Sequence, residues 1–170
     1  MTVLVVLFLL SISSISPAND HALLKKTQGL SEGLILNTIK ANPQQALPTV
    51  RLKSGVIRIT AKVAATPEQR EIGLSGRTAL LINQGMLFVW PSPGRYCMWM
   101  RGTSIPLTAL FLSDQGEVLG LEAMNPNTLN RHCAPKPVRF ILEVSQNWRG
   151  KGSIFVGSVL SGLTQVPDGQ

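Results

Sequence analysis

Acidic residues are scarce in this chain: nine Asp and Glu stand against 16 Lys and Arg among 170 residues, a net charge of +7. No paired-carboxylate motif of the kind acid/base hydrolysis needs is visible, nor is a phosphate-binding glycine loop or a nucleophile elbow. Aromatics are few at 5%. With only two His and two Cys, His132 beside Cys133 is weak evidence for zinc or a catalytic thiol, since ligands must converge in space and a structural site usually takes four. No cofactor motif is present. The basic residues never run beyond the Lys25–Lys26 pair, and no nucleic-acid module is recognisable, so a nucleic-acid partner is not expected. The excess positive charge favours acidic surroundings such as an anionic membrane or envelope polymer.

The chain also lacks an apolar run long enough to cross a bilayer. Its first run, Val3 to Leu10, has the length of a signal-peptide core. Ser16 and Ala18 supply small residues for cleavage after Ala18, although no Lys or Arg precedes Lys25. Export to the periplasm or medium is the expectation, with an uncleaved membrane anchor as the alternative. Cleavage there would leave His21 third from a new amino terminus, a nitrogen set suited to Cu(II) or Ni(II). Residues 1–18 thus read as a signal, 19–49 as an extension and linker ending in the Pro43 and Pro48 region, 50–162 as one folded domain, and 163–170 as a tail.

Within the domain, Ile57, Ile59, Ala61 and Val63 alternate with Arg58, Thr60 and Lys62, which predicts a half-buried strand. Thr66, Pro67 and Gln69 form a capping-box signature for a helix that Gly73 or Gly76 would end. Further strands are expected at 86–90, 96–101, 107–112, 117–124, 139–144 and 153–160, with a turn at 114–116 and a helical turn at 147–150. The predicted class is α+β, mainly β: a small antiparallel, barrel-like sheet of about seven strands with one principal helix packed on it.

The segments TPEQREIGLSGR, GMLFVW, WMRGTSIPL and RFILEV, in that order from Val56 to Leu160, resemble the bacterial and archaeal family called domain of unknown function 192. That family's first segment reads close to TPEERxxGLMxR, followed by GMLF, FWM(K/R)NT and IPLD. The resemblance implies a small β-rich barrel with a helix packed against it, and no established reaction. Two positions depart from the pattern. Gly102 stands where relatives carry Asn, and Thr108 where they carry Asp, which would remove a carboxylate partner for Arg101.

On an extended strand Cys97, Trp99 and Arg101 share one face and Met98 and Met100 the other. Indole beside guanidinium, with Thr103 following, suits a planar or anionic ligand or a sugar ring. The packed alternative, commoner on apolar strands, has Trp99 filling the interior and Arg101 paired with Glu122 or Glu143. Arg70 and Arg77, seven residues apart, would share a face of a continuous helix and could clamp an anion, or pin the helix to its neighbours. Cys97 and Cys133 either form a disulfide, as an exported pair would, or remain separate thiols. The leading expectation is a non-enzymatic module binding a small molecule or an anionic envelope component. The alternatives are an enzyme using Glu122 or Glu143 as acid or base beside Arg101, and attachment to anionic membrane or polymer by charge alone.

Overall fold

The computed structural model describes Gln44 and residues 46–170. The expected signal, its cleavage site and His21 lie outside the described residues. Eight strands are assigned: β1 (Thr49–Ser54), β2 (Ile57–Ala64), β3 (Gln84–Gly94), β4 (Cys97–Met98), β5 (Leu107–Leu112), β6 (Val118–Met124), β7 (His132–Cys133) and β8 (Val138–Ser145). They form one six-stranded sheet in the order β1-β2-β3-β8-β5-β6, and a small sheet of β4 with β7. The domain is mainly β, as expected, but two details of the expectation need correction.

The sheet does not close into a barrel. Its edges are β1 and β6, and the chain expected to form a strand at 153–160 instead supplies two isolated bridges, Lys53 to Ser161 and Glu117 to Val159. Gly152 and Gly157, both at positive φ, break that segment into turns rather than a ladder. The predicted helical turn at 147–150 is likewise a series of turns. Nor is there a principal helix. α1 spans Pro67–Ile72 and buries none of its residues. Thr66 accepts from the Gln69 backbone N–H and Gln69 Oε1 accepts from that of Thr66, which starts the helix as a capping box. Gly73 at φ +47 stops it two turns later, and Leu74 beyond the stop carries the burial.

Because a helix connects β2 to β3, those strands run parallel, whereas every other pairing in the main sheet is antiparallel. The central strands are covered on both sides. One face holds Leu87, Val89, Leu110, Leu112, Leu142 and Val144 under Trp148, Ile154, Leu160 and Leu163. The opposite face holds Met86, Phe88, Leu107, Ala109, Phe111 and Ile141 under Leu74, Met98 and Met100. This double burial makes the middle strands read as nearly continuous apolar runs. Glu143 is the exception: its register partners on this second face are Met86 and Ala109, both fully buried.

The chain on either side of 50–162 packs on the same unit. The side chains of Gln44 and Leu47 are buried, and Gln44 Nε2 donates to the carbonyls of Gly73 and Ser75 at 2.8 and 2.9 Å. Toward the end, Leu163 enters the core and Asp168 pairs with Arg139 at 2.8 Å.

Candidate functional site

The stretch after β4 keeps an alternating pattern although only two of its residues pair as a strand. Met98 and Met100 are buried beneath it, while Trp99 is 46% exposed and Arg101 is exposed. Met100 N–H donates to the Thr128 carbonyl and Asn127 N–H to that of Thr103, so the turn at 125–128 fixes this stretch from one side. Gly102 fixes it from the other. At φ +68 it occupies the left-handed region, and its carbonyl accepts from Gly76 N–H at 3.0 Å and Ser75 Oγ at 3.2 Å. Gly and Asn are the residues that tolerate this conformation best, so the departure from Asn leaves the backbone requirement intact.

The disulfide is present. Cys97 and Cys133 are direct register partners of β4 and β7, with Sγ atoms 2.03 Å apart, and no free cysteine remains. The alternative of separate thiols is therefore corrected, as is a catalytic-thiol or zinc role for Cys133. The bond draws the 131–133 segment against the Trp99 stretch, bringing Arg131 to the same opening.

That opening is a cleft of about 550 Å³ between the end of α1 and the Trp99 stretch. Trp99, Arg101 and Arg131 form its rim, Thr103 lies deeper, and Glu143 reaches it from β8. Glu143 is 3% exposed and Thr103 5%. Neither side chain hydrogen-bonds to another described residue. Burial in this apolar face pushes the Glu143 carboxyl up to about 8, because removing a carboxylate from water penalises its charged form. Below that pH the floor is neutral. Rim and walls then hold Arg70, Arg101 and Arg131 against the single acid Glu71, a field that favours anions.

The packed reading of Trp99 and Arg101 is overturned. Trp99 lines the cleft instead of filling the interior, and Arg101 has no ion pair among the described residues. Glu122 is engaged elsewhere, its Oε1 lying 2.6 Å from His132 Nδ1. The other ring nitrogen, His132 Nε2, is buried without a partner among the described residues. Thr108 lies on the sheet face opposite Glu143, near Leu121 and Trp148. An Asp at that position would therefore not be Arg101's partner, and the cleft loses nothing by its replacement.

Arg70 and Arg77 do not form a clamp. α1 ends between them, and the two guanidiniums do different work. Arg70 Nη1 donates to the carbonyls of Ala65 and Val89 at 2.6 and 2.8 Å, and Nη2 to that of Gln170 at 2.7 Å. Its guanidinium also lies over Trp90, 5.3 Å from the ring centroid, and Trp90 in turn stacks on Tyr96 at 4.2 Å. Arg70 is thus a wall of the cleft whose donors are largely used. Arg77 Nε binds Gln44 Oε1 at 2.6 Å, away from the cleft lining.

Sequence reasoning missed Arg131, Glu71 and Trp90 as cleft residues. For Arg131 a signal existed: it lies two residues before Cys133, so the disulfide once formed carries it to Trp99. Among the described residues no cluster of three or more His, Cys, Asp or Glu could hold a metal ion, and no described helix is long and apolar enough to cross a membrane.

Comparison with known proteins points the same way as the sequence motifs. The family model DUF192, described as uncharacterised, matches residues 49–162. No curated protein matches the chain. Among solved structures, a protein from Sinorhizobium meliloti 1021, described as a candidate transcription regulator, is 26% identical with a TM-score of 0.65, covering 68% of this chain and 95% of its own. A protein of unknown function from Novosphingobium aromaticivorans DSM 12444 is 25% identical with a TM-score of 0.61, covering 68% of this chain and 84% of its own.

Proposed function

The chain belongs to the uncharacterised family DUF192, and we propose that this member is an exported, non-enzymatic module whose cleft binds a small anionic molecule. The observation that carries this reading is the convergence of an exposed indole and two rim guanidiniums on a cleft whose deeper polar groups, Glu143 and Thr103, have no partner among the described residues. A cleft of about 550 Å³ falls in the range of small-molecule sites, which are mostly apolar with a few converging polar groups. Arg101 and Arg131 supply charge and directed donors, and Trp99 supplies a flat apolar face. Export is supported by the apolar amino-terminal run and by a disulfide, which persists in oxidising compartments. A small ligand is favoured over nucleic acid because Arg70, Arg101 and Arg131 converge on a pocket of small-molecule size.

A second reading has one specific observation in its favour. A carboxyl held near pH 8 in a cleft that Arg101 also lines is poised as a general acid, so an enzyme would use Glu143 and not the His132-bound Glu122. The test is a thermal-shift screen of small carboxylates, phosphates and sulfates on the wild type, Trp99→Ala and Arg101→Ala. Binding predicts anionic hits that raise Tm in the wild type and fail in both variants. Hits retained in both variants would remove the cleft from consideration, and conversion of a hit to a new compound by wild type but not Glu143→Gln would favour the enzyme.

A further inference from the structure

Resting on the cleft reading, the arrangement of Glu143, Thr103 and the rim narrows the ligand further. Glu143 is almost fully buried, its strand neighbours Met86 and Ala109 are apolar, and no described residue hydrogen-bonds its carboxyl. Thr103, equally enclosed, leaves its hydroxyl without a partner among the described residues. Two largely buried polar side chains that line one cleft and lack partners among the described residues are groups that a ligand can satisfy. Where such groups await a ligand's hydroxyls, an analogue lacking those hydroxyls leaves them unpaired, and discrimination against it is strong.

The rim decides what kind of donor reaches this floor. Arg70, Arg101 and Arg131 outnumber Glu71 at the opening, so a cationic ammonium group would be repelled on entry. A hydroxyl is neutral, donates and accepts, and matches both a carboxyl and the Thr103 hydroxyl. The exposed indole of Trp99 at the rim offers a flat apolar surface on which the C–H face of a saturated ring can lie.

We propose that the cleft selects acidic sugars: a ring carboxylate held at the mouth by Arg101 and Arg131, the ring lying on Trp99, and ring hydroxyls bound at the floor by Glu143 and Thr103. No covalent step is involved. Glu143 acts as a specificity-determining residue, since it distinguishes a polyhydroxylated ring from an apolar one of the same charge.

Isothermal titration of the disulfide-intact protein with D-glucuronate, D-glucose and cyclohexanecarboxylate at one ionic strength separates the contributions. Glucuronate is expected to bind, and both single-feature probes to bind at least about tenfold more weakly. Glu143→Gln, whose amide still donates and accepts, keeps glucuronate affinity within a few-fold. Glu143→Met, of similar volume and suited to an apolar face, weakens glucuronate at least about tenfold while leaving cyclohexanecarboxylate unchanged or tighter. If cyclohexanecarboxylate matches glucuronate on the wild type and both are weakened by Arg101→Ala, the sugar-acid inference falls and the anion-binding cleft stands. If glucuronate does not bind, the inference is overturned whatever anions the thermal-shift screen returns. Equal glucuronate affinity in wild type and Glu143→Met overturns the role given to Glu143.

Discussion

Replacing Glu143 by Gln should convert a pH-sensitive domain into a less sensitive one, and the size of the effect follows from burial. In the unfolded chain the carboxyl titrates at its ordinary value of 4.5, and in the folded domain at about 8. A folded-state pKa raised above the unfolded one means that the native state holds the proton more tightly, so stability is highest below 4.5 and declines as pH climbs towards 8. The decline approaches about 1.4 kcal/mol per pH unit, which integrates to roughly 3 to 4 kcal/mol between pH 5 and pH 8. That is a sizeable share of the roughly 5 to 15 kcal/mol that separates native from unfolded domains. Gln carries no ionisable proton but fits the same space. Urea unfolding of both proteins, with the disulfide intact, should therefore give similar stabilities near pH 5 and an advantage for Glu143→Gln that widens to roughly 3 kcal/mol by pH 8. A difference between the two proteins that stays constant from pH 5 to pH 8 would refute the buried, proton-holding carboxyl.

Other consequences are local. Replacing Cys97 and Cys133 together by Ser releases a 36-residue separation and should cost about 3 to 4 kcal/mol in urea unfolding; an unchanged midpoint would mean that the bond does not constrain the unfolded chain. Arg70→Ala strands the part-buried carbonyls of Ala65 and Val89 and loses the exposed contact to Gln170 and should destabilise by about 2 to 3 kcal/mol, with Arg70→Lys recovering less than half because an ammonium cannot span the three acceptors. Thermal melts of the two variants that coincide with wild type would dismiss this latch. At Gly116, φ is +83 and a side-chain carbon would overlap the Leu160 carbonyl, so Gly116→Ala should lower stability by about 3 kcal/mol; a loss below about 1 kcal/mol in the same unfolding assay would show that the β5–β6 turn can shift away.

Local chemistry made much of the domain readable before its structure. The alternation from Ile57 to Val63, the Thr66 capping box and the 114–116 turn are decided by neighbours in sequence, and each forms where expected. The closed barrel failed for a nonlocal reason: the apolar residues Ile154 and Leu160 are buried by covering a sheet face, which a strand and a covering loop achieve with the same composition. β1 is harder to read from the sequence although Val50 and Leu52 alternate with exposed residues, because the prolines before it read as linker. The site was half visible. Period-two alternation put Trp99 and Arg101 on one face, and they do share one, but whether that face meets solvent or core depends on which sheet face Met98 and Met100 cover. Glu143 reads as part of a strand flanked by Leu142 and Val144, yet its isolation follows only from the register that sets Met86 and Ala109 beside it.

The central claim, a cleft at Trp99 that receives a small acidic sugar, is met most directly by an amide and indole N–H chemical-shift titration of the labelled protein with D-glucuronate. The account predicts saturable shifts concentrated at the Trp99 indole and at the amides of Arg101, Thr103, Arg131 and Glu143, with Trp148 on the opposite sheet face unmoved. Shifts that stay linear in ligand and scatter over the exposed Lys and Arg residues, or that spare Trp99 and Glu143, would contradict it.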